Sequence, residues 1–159
     1  MPDEHQGRRT NSTDGGGPVG AALGVFLADS YVLLAKTQAC HWNATGPDFF
    51  ALHKLTEHQY TEIFAAIDTL AERLRALSLR APGGLGELLS MATLEDGTAA
   101  MTTQQAAELL AEANRAMALH ANEVAARAEE AEDVGTHDLL VARVLAHDKA
   151  AWLLRSHLN

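Results

Sequence analysis

The stretch HWNATGPDFFALHKLTEHQYTEIFAAIDTLAERLRAL, from His41 to Leu77, decides how this chain folds. Gly46 and Pro47 break it early, and Leu52, Leu55, Ile63, Ile67, Leu70, Leu74 and Leu77 then recur largely at the three- and four-residue steps of an amphipathic helix. Asp48 is the expected N-cap, and the pattern runs to about Leu79. Upstream, Leu23, Phe26, Leu27, Leu33 and Leu34 mark a first helix from about Ala21 to the neighbourhood of Asn43. Downstream, Pro82, Gly83, Gly84, Gly86 and Gly97 interrupt the periodicity over roughly twenty residues and leave room for one short helix, Leu85 to Met91. Thr102 with Gln105 forms a capping-box signature ahead of a third long helix that ends near Ala131. Gly135 separates it from a fourth, with Thr136 as expected N-cap, that continues nearly to the C-terminus.

Two helix pairs joined by short turns, with one long crossover between them, predict an all-α, ferritin-like four-helix bundle with a short helix in the crossover. Composition agrees: 30 Ala and 23 Leu stand against 7 Val and 2 Ile, which favours helix over sheet. Residues 1–18, rich in glycine and nearly devoid of apolar side chains, read as a flexible arm, and residues 19–159 as a single bundle domain. One cysteine excludes an intrachain disulfide framework and multi-thiolate zinc sites. The apolar run Val19 to Ala28 stops at Asp29, short of a membrane span, and the polar, glycine-rich spacer after Arg8 and Arg9 does not suit an export signal. A cytoplasmic protein is expected.

Chemistry concentrates between His41 and Glu72. Imidazoles and carboxylates together suit iron, manganese or zinc, whereas calcium would take oxygen alone. His53 and Glu57 are four residues apart, as are Asp68 and Glu72, so each pair lies on one helix face, and all four share about a third of the circumference. His53 and Asp68, however, stand roughly 22 Å apart along the helix at 1.5 Å per residue, too far for one metal. Either these are two unrelated half-sites, or the pairs meet from different chains across a two-fold axis near residues 60–63. His41, beside the Gly46–Pro47 turn, is placed to fold back toward His53. An intrachain di-iron centre is disfavoured, because no Glu or Asp is followed by a His three residues later. A solvated charged face is the plain alternative for Asp68 and Glu72. Arg75 stands three residues beyond Glu72, but Asp68 has no base three or four residues away in either direction. His58 and His120 lack a patterned carboxylate partner and read as structural.

The run HWNATGPDFFALH, His41 to His53, followed by IDTLAERLRAL, Ile67 to Leu77, strongly resembles the Dps family of mini-ferritins, and the C-terminal AHDKAAWLLRSHL is similar to that family's last helix. The resemblance covers about residues 20–158. It implies a hollow dodecamer built from two-fold dimers, with a ferroxidase centre at each dimer interface. In that arrangement His41 and His53 come from one subunit and Asp68 and Glu72 from the other; Glu57 is a further iron ligand and Trp42 an aromatic neighbour. It also implies oxidation of Fe(II), with hydrogen peroxide preferred over oxygen, and storage of Fe(III) inside the shell.

A rival reading is a nucleoid-binding protein that coats DNA, with metal incidental. Formal charge of −9, and an arm holding only Arg8 and Arg9 against Asp3, Glu4 and Asp14, predict weak DNA binding or none. A second rival is a non-catalytic zinc or manganese binder using the same ligands. The acids of the last interhelical turn are solvated surface charge in the plain reading. The resemblance places that turn at a three-fold axis, where Asp133 and Asp138, with His137, are the expected residues of an iron inlet.

Overall fold

The computed structural model describes residues 17–97 and 101–157. The expected arm therefore lies outside the described residues, except for Gly17 and Pro18, which already belong to the first helix. Five helices follow in order: α1 (Gly17–Asn43), α2 (Phe49–Ala76), α3 (Leu85–Met91), α4 (Thr103–Glu130) and α5 (Val134–His157). The four long ones form the bundle, and α3 is the short helix of the crossover.

Burial around most of its circumference explains the composition of α1. Leu23, Phe26, Leu27 and Leu33 are fully enclosed, and they pack with Leu70 and Leu74 of α2, Met117 of α4 and Leu140 of α5. By length and hydropathy α1 would qualify as a membrane span, contrary to the expectation from its short apolar run, but 72% of its most apolar window is buried inside the bundle. The buried face of α4 is made largely of alanine, including Ala106, Ala107, Ala111, Ala118, Ala121, Ala125 and Ala128. Such small side chains let a neighbouring helix come close, and α5 and α1 pack there.

The turn between α1 and α2 is held from outside. Thr45 and Thr103 form an isolated bridge: the Thr45 amide donates to the Met101 carbonyl at 3.2 Å, and the Thr103 amide to the Thr45 carbonyl at 3.0 Å. The Thr103 hydroxyl adds a bond to the Pro47 carbonyl at 2.7 Å. The start of α4 thus lies against the start of α2, so these two helices run in the same direction and the connection between them must cross the length of the bundle. Thr102 and Gln105 complete their capping box as expected.

Two expected caps differ. Asp48 occupies the N-cap position of α2 in the left-handed region, φ 59°, and its side chain makes no capping bond. At α5 the cap is Asp133 rather than Thr136. The Asp133 carboxylate accepts from the Thr136 amide at 3.0 Å and the Thr136 hydroxyl at 2.6 Å. It also accepts from Arg73 of α2 at 2.5 Å. Gly135 makes room for that arginine, because a Cβ there would meet the guanidinium at 3.0 Å.

Asp29 is buried in the middle of α1, and its carboxylate accepts from the Thr93 amide at 2.6 Å, the Leu94 amide at 2.7 Å, the Thr93 hydroxyl at 2.8 Å and His120 Nδ1 at 3.0 Å. One side chain therefore ties the crossover and α4 to α1. Burial pushes its pKa up, but the bonds from His120, Leu94 and Thr93 outweigh that and hold it below its ordinary value of 3.8. A depressed folded-state pKa means that the stabilisation is complete above 3.8 and is lost as pH falls through the folded-state value. Asp29→Ala is expected to cost about 3 kcal/mol, read as a lower urea midpoint at fixed protein concentration. The gap between wild type and Asp29→Asn should narrow below pH 3.8; a gap independent of pH would show that the ionised carboxylate contributes nothing.

Candidate metal centre

His41 closes the last turn of α1 and His53 lies in the second turn of α2, so the Gly46–Pro47 turn brings them face to face. Their rings stack at a centroid distance of 3.7 Å and an interplanar angle of 16°. Each ring is held by the other residue's backbone: His41 Nδ1 lies 2.9 Å from the His53 carbonyl, and His53 Nδ1 lies 3.0 Å from the His41 carbonyl. Thr56 Oγ1, itself bonded to the Leu52 carbonyl, stands 3.2 Å from His41 Nδ1. A carbonyl oxygen only accepts, so both Nδ1 atoms carry a hydrogen, and the tautomer this selects is the one whose Nε2 offers a lone pair to a metal. Two imidazoles of fixed tautomer, each oriented by a backbone carbonyl, are the arrangement metal-binding histidines require.

Glu57 lies one turn beyond His53 and pairs with Lys54 at 2.7 Å. The hydrogen bond and charge of Lys54 hold its carboxyl below the ordinary value, with a smaller contribution from His41 and His53. Asp68 and Glu72 are exposed on α2. Among the described residues no three His, Cys, Asp or Glu side chains converge within the chain. The structure thus joins His41 to His53 and leaves Asp68 and Glu72 apart from them, as the rise of a helix demands. Trp42 is 65% exposed beside His41. Phe64, 67% exposed, sits between the pairs His53–Glu57 and Asp68–Glu72 and, at 100° per residue, on the same face of α2.

Asp138 is exposed and His137 half-buried at the start of α5. Asp133, grouped with them as an inlet residue, instead spends both carboxylate oxygens on the α5 cap and on Arg73. The reason is local: an aspartate three residues ahead of a threonine at a helix start caps that helix.

Sequence reasoning missed a second polar group inside the bundle. Arg143 on α5 makes a two-pronged ion pair with Glu62 on α2 and donates to His147 Nε2 at 3.2 Å. His147 Nδ1 in turn donates to Asn114 Oδ1 at 2.9 Å. Burial, reinforced by the Arg143 charge, pushes the His147 pKa down to about 3 and keeps the ring neutral. The four-residue spacing of Arg143 and His147 was the available signal, but their partners on α2 and α4 are far away in sequence.

The profile of the ferritin-like domain matches residues 21–159. A low temperature-induced protein of Nostoc sp. is 36% identical over 135 residues, which are 84% of this chain and 75% of the relative. A DNA protection during starvation protein of Brevibacillus brevis is 34% identical over 144 residues, 89% of this chain and 95% of the relative. The crystallised Dps of Thermosynechococcus elongatus superimposes with a TM-score of 0.85 at 32% identity, covering 89% of this chain and 90% of that one. A bundle with its short helix in the crossover, matched along nearly all of its length, places the chain in the ferritin-like superfamily as a member of the Dps family.

Proposed function

We propose that this chain oxidises Fe(II) at sites shared between two subunits and stores the Fe(III) within a dodecameric shell. The observation that carries this reading is the reciprocal pair His41–His53, whose free Nε2 atoms are two metal donors, while no cluster of three His, Cys, Asp or Glu side chains forms among the described residues. Asp68 and Glu72, exposed on the same helix face, are the carboxylates a partner would bring. Phe64 is the apolar contact between the two sets. Nitrogen and carboxylate donors together fit iron.

In this reading His41 and His53 hold an incoming Fe(II) in one subunit, and Asp68 and Glu72 of the other complete the shell, with Glu57 a further oxygen donor. Two Fe(II) ions each give one electron, and one hydrogen peroxide with two protons becomes two waters, so no hydroxyl radical is released. Oxygen is the alternative oxidant. The carboxylates lower the cost of the added positive charge as Fe(II) becomes Fe(III). The protective role belongs in the cytoplasm.

Mixing an inactive His41→Ala, His53→Ala chain with an inactive Asp68→Ala, Glu72→Ala chain should restore part of the activity, because a hybrid dimer keeps one intact site of two. Stopped-flow oxidation of Fe(II) with peroxide and with oxygen measures it. Dead hybrids, with wild type refolding normally, would sink the shared site. Saturable metal binding without Fe(II) oxidation would favour a zinc or manganese binder.

The inlet reading rests on Asp138 and His137, since Asp133 is engaged as a cap. Asp138→Asn should slow iron uptake roughly tenfold at low ionic strength and flatten its dependence on salt, because the attracting field is lost. Unchanged uptake at both ionic strengths would return Asp138 to ordinary surface charge. Arg8 and Arg9 neutralise few phosphates, so duplex DNA should migrate freely past the protein in a gel shift at about 150 mM salt. Tight retention there would favour the DNA-coating alternative.

A further inference from the structure

The imidazole of His41 has a neighbour that plays no part as a metal donor. Leu52, Thr56 and Tyr60 follow one another at four-residue steps along α2 and so share one face of that helix. Thr56 Oγ1 stands 3.2 Å from His41 Nδ1. One turn further on, the Tyr60 ring meets the same imidazole edge to face, with centroids 5.1 Å apart and planes at 78°. That separation is direct contact between two rings.

The other aromatic side chains near the histidine pair lack this combination. Phe49 lies against His53 at 5.3 Å, but its ring carries no O–H and resists the loss of an electron. Trp42 follows His41 in the chain, yet it is 65% exposed and makes no ring contact with either histidine among the described residues. Tyr31, the only other tyrosine, stands ten residues before His41, roughly 15 Å away along α1. Tyr60 therefore joins an oxidisable phenol to a candidate metal ligand with nothing between them. Its hydroxyl has no hydrogen-bond partner among the described residues, and the side chain is half-buried rather than sealed, so the phenolic proton has a route to water.

We propose that Tyr60 supplies the second electron when hydrogen peroxide meets a site that holds a single Fe(II); this rests on the reading of the centre as an iron-oxidising site. Peroxide needs two electrons to become two waters, and a lone Fe(II) gives only one. The Fe(II) beside His41 gives the first electron. The Tyr60 phenol gives the second through the His41 ring and loses its hydroxyl proton. The O–O bond breaks, and that proton, with one more from solvent, completes two waters. Fe(III) and a neutral tyrosyl radical remain. A later Fe(II) returns one electron to the radical, a proton from solvent restores the phenol, and that iron becomes Fe(III). A half-filled site thus consumes peroxide without releasing hydroxyl radical.

The test uses the assembled full-length protein, loaded anaerobically with either half an Fe(II) or two Fe(II) per site, mixed with peroxide and freeze-quenched for electron paramagnetic resonance. A spin trap for hydroxyl radical is run in parallel. At the low loading the wild type should show a tyrosyl radical, whose signal narrows when the protein carries ring-deuterated tyrosine, and almost no trapped hydroxyl radical. Tyr60→Phe, which keeps a ring against His41, should lose that radical and raise the trapped hydroxyl radical several-fold. Its difference from wild type should shrink at two Fe(II) per site, where the second ion supplies the electron. Tyr31→Phe should behave as wild type. A tyrosyl radical that survives in Tyr60→Phe, its loss in Tyr31→Phe, or equal trapping in Tyr60→Phe and wild type would each overturn the proposal. Should Tyr60→Phe fail to assemble, the wild type still decides: Fe(II) oxidised at low loading without a tyrosine-derived radical overturns the role of Tyr60. Wild type that leaves Fe(II) unoxidised at both loadings would instead overturn the iron-oxidising reading itself.

Discussion

An ionised carboxylate in an apolar interior must be surrounded by donors, and Asp29 meets that requirement with groups from two other parts of the chain. The Thr93 and Leu94 amides lie on a segment that has left helix α3, so their hydrogen-bonding capacity is not spent within a helix. Asp29 uses them, and in doing so lays the crossover across α1. His120 completes the set and adds α4. With the crossover held there, α4 starts beside the α1–α2 turn, where Thr45 and Thr103 lock the two segments together.

That arrangement also positions the candidate metal ligands. The tight turn before α2 sets His41 against His53, and each backbone carbonyl orients the other ring. The same helix carries Asp68 and Glu72 far beyond reach, because an α-helix is a stiff rod with a constant rise. In the proposed function, the two histidines are the half of a metal shell held within one chain, and a second molecule would bring the rest.

The charged groups at the opposite end of α2 serve structure first. Arg73, one residue past Glu72, reaches across to Asp133 and Thr136, which caps α5 and joins the end of α2 to the α4–α5 corner. An acidic residue near an expected ion path is thus withdrawn from solvent by the demand of a helix terminus for acceptors. Deeper in the bundle, Glu62, Arg143, His147 and Asn114 bridge three helices, and Arg143 Nε remains buried without a partner, so the network is not fully satisfied.

Local physics made much of this legible in the residues themselves. Periodic leucines, the Gly46–Pro47 break and the Thr102–Gln105 capping box specify helices whose bounds lie within a few residues of those observed, because each depends on neighbours three or four positions away. The separation of His53 from Asp68 followed likewise from the geometry of one helix. Other features depended on groups distant in sequence and could be decided only by packing. Asp48 looked like a cap, yet the α1–α2 turn is held by Thr45 and Thr103 and leaves the Asp48 side chain without that role. Asp29 read as the end of an apolar run until Thr93, Leu94 and His120 arrived around it. The tautomers of His41 and His53, the neutral state of His147 and the unpartnered oxygen of Gln59 each depend on which carbonyl or side chain the folded bundle sets opposite them, and a single strand of sequence does not carry that information.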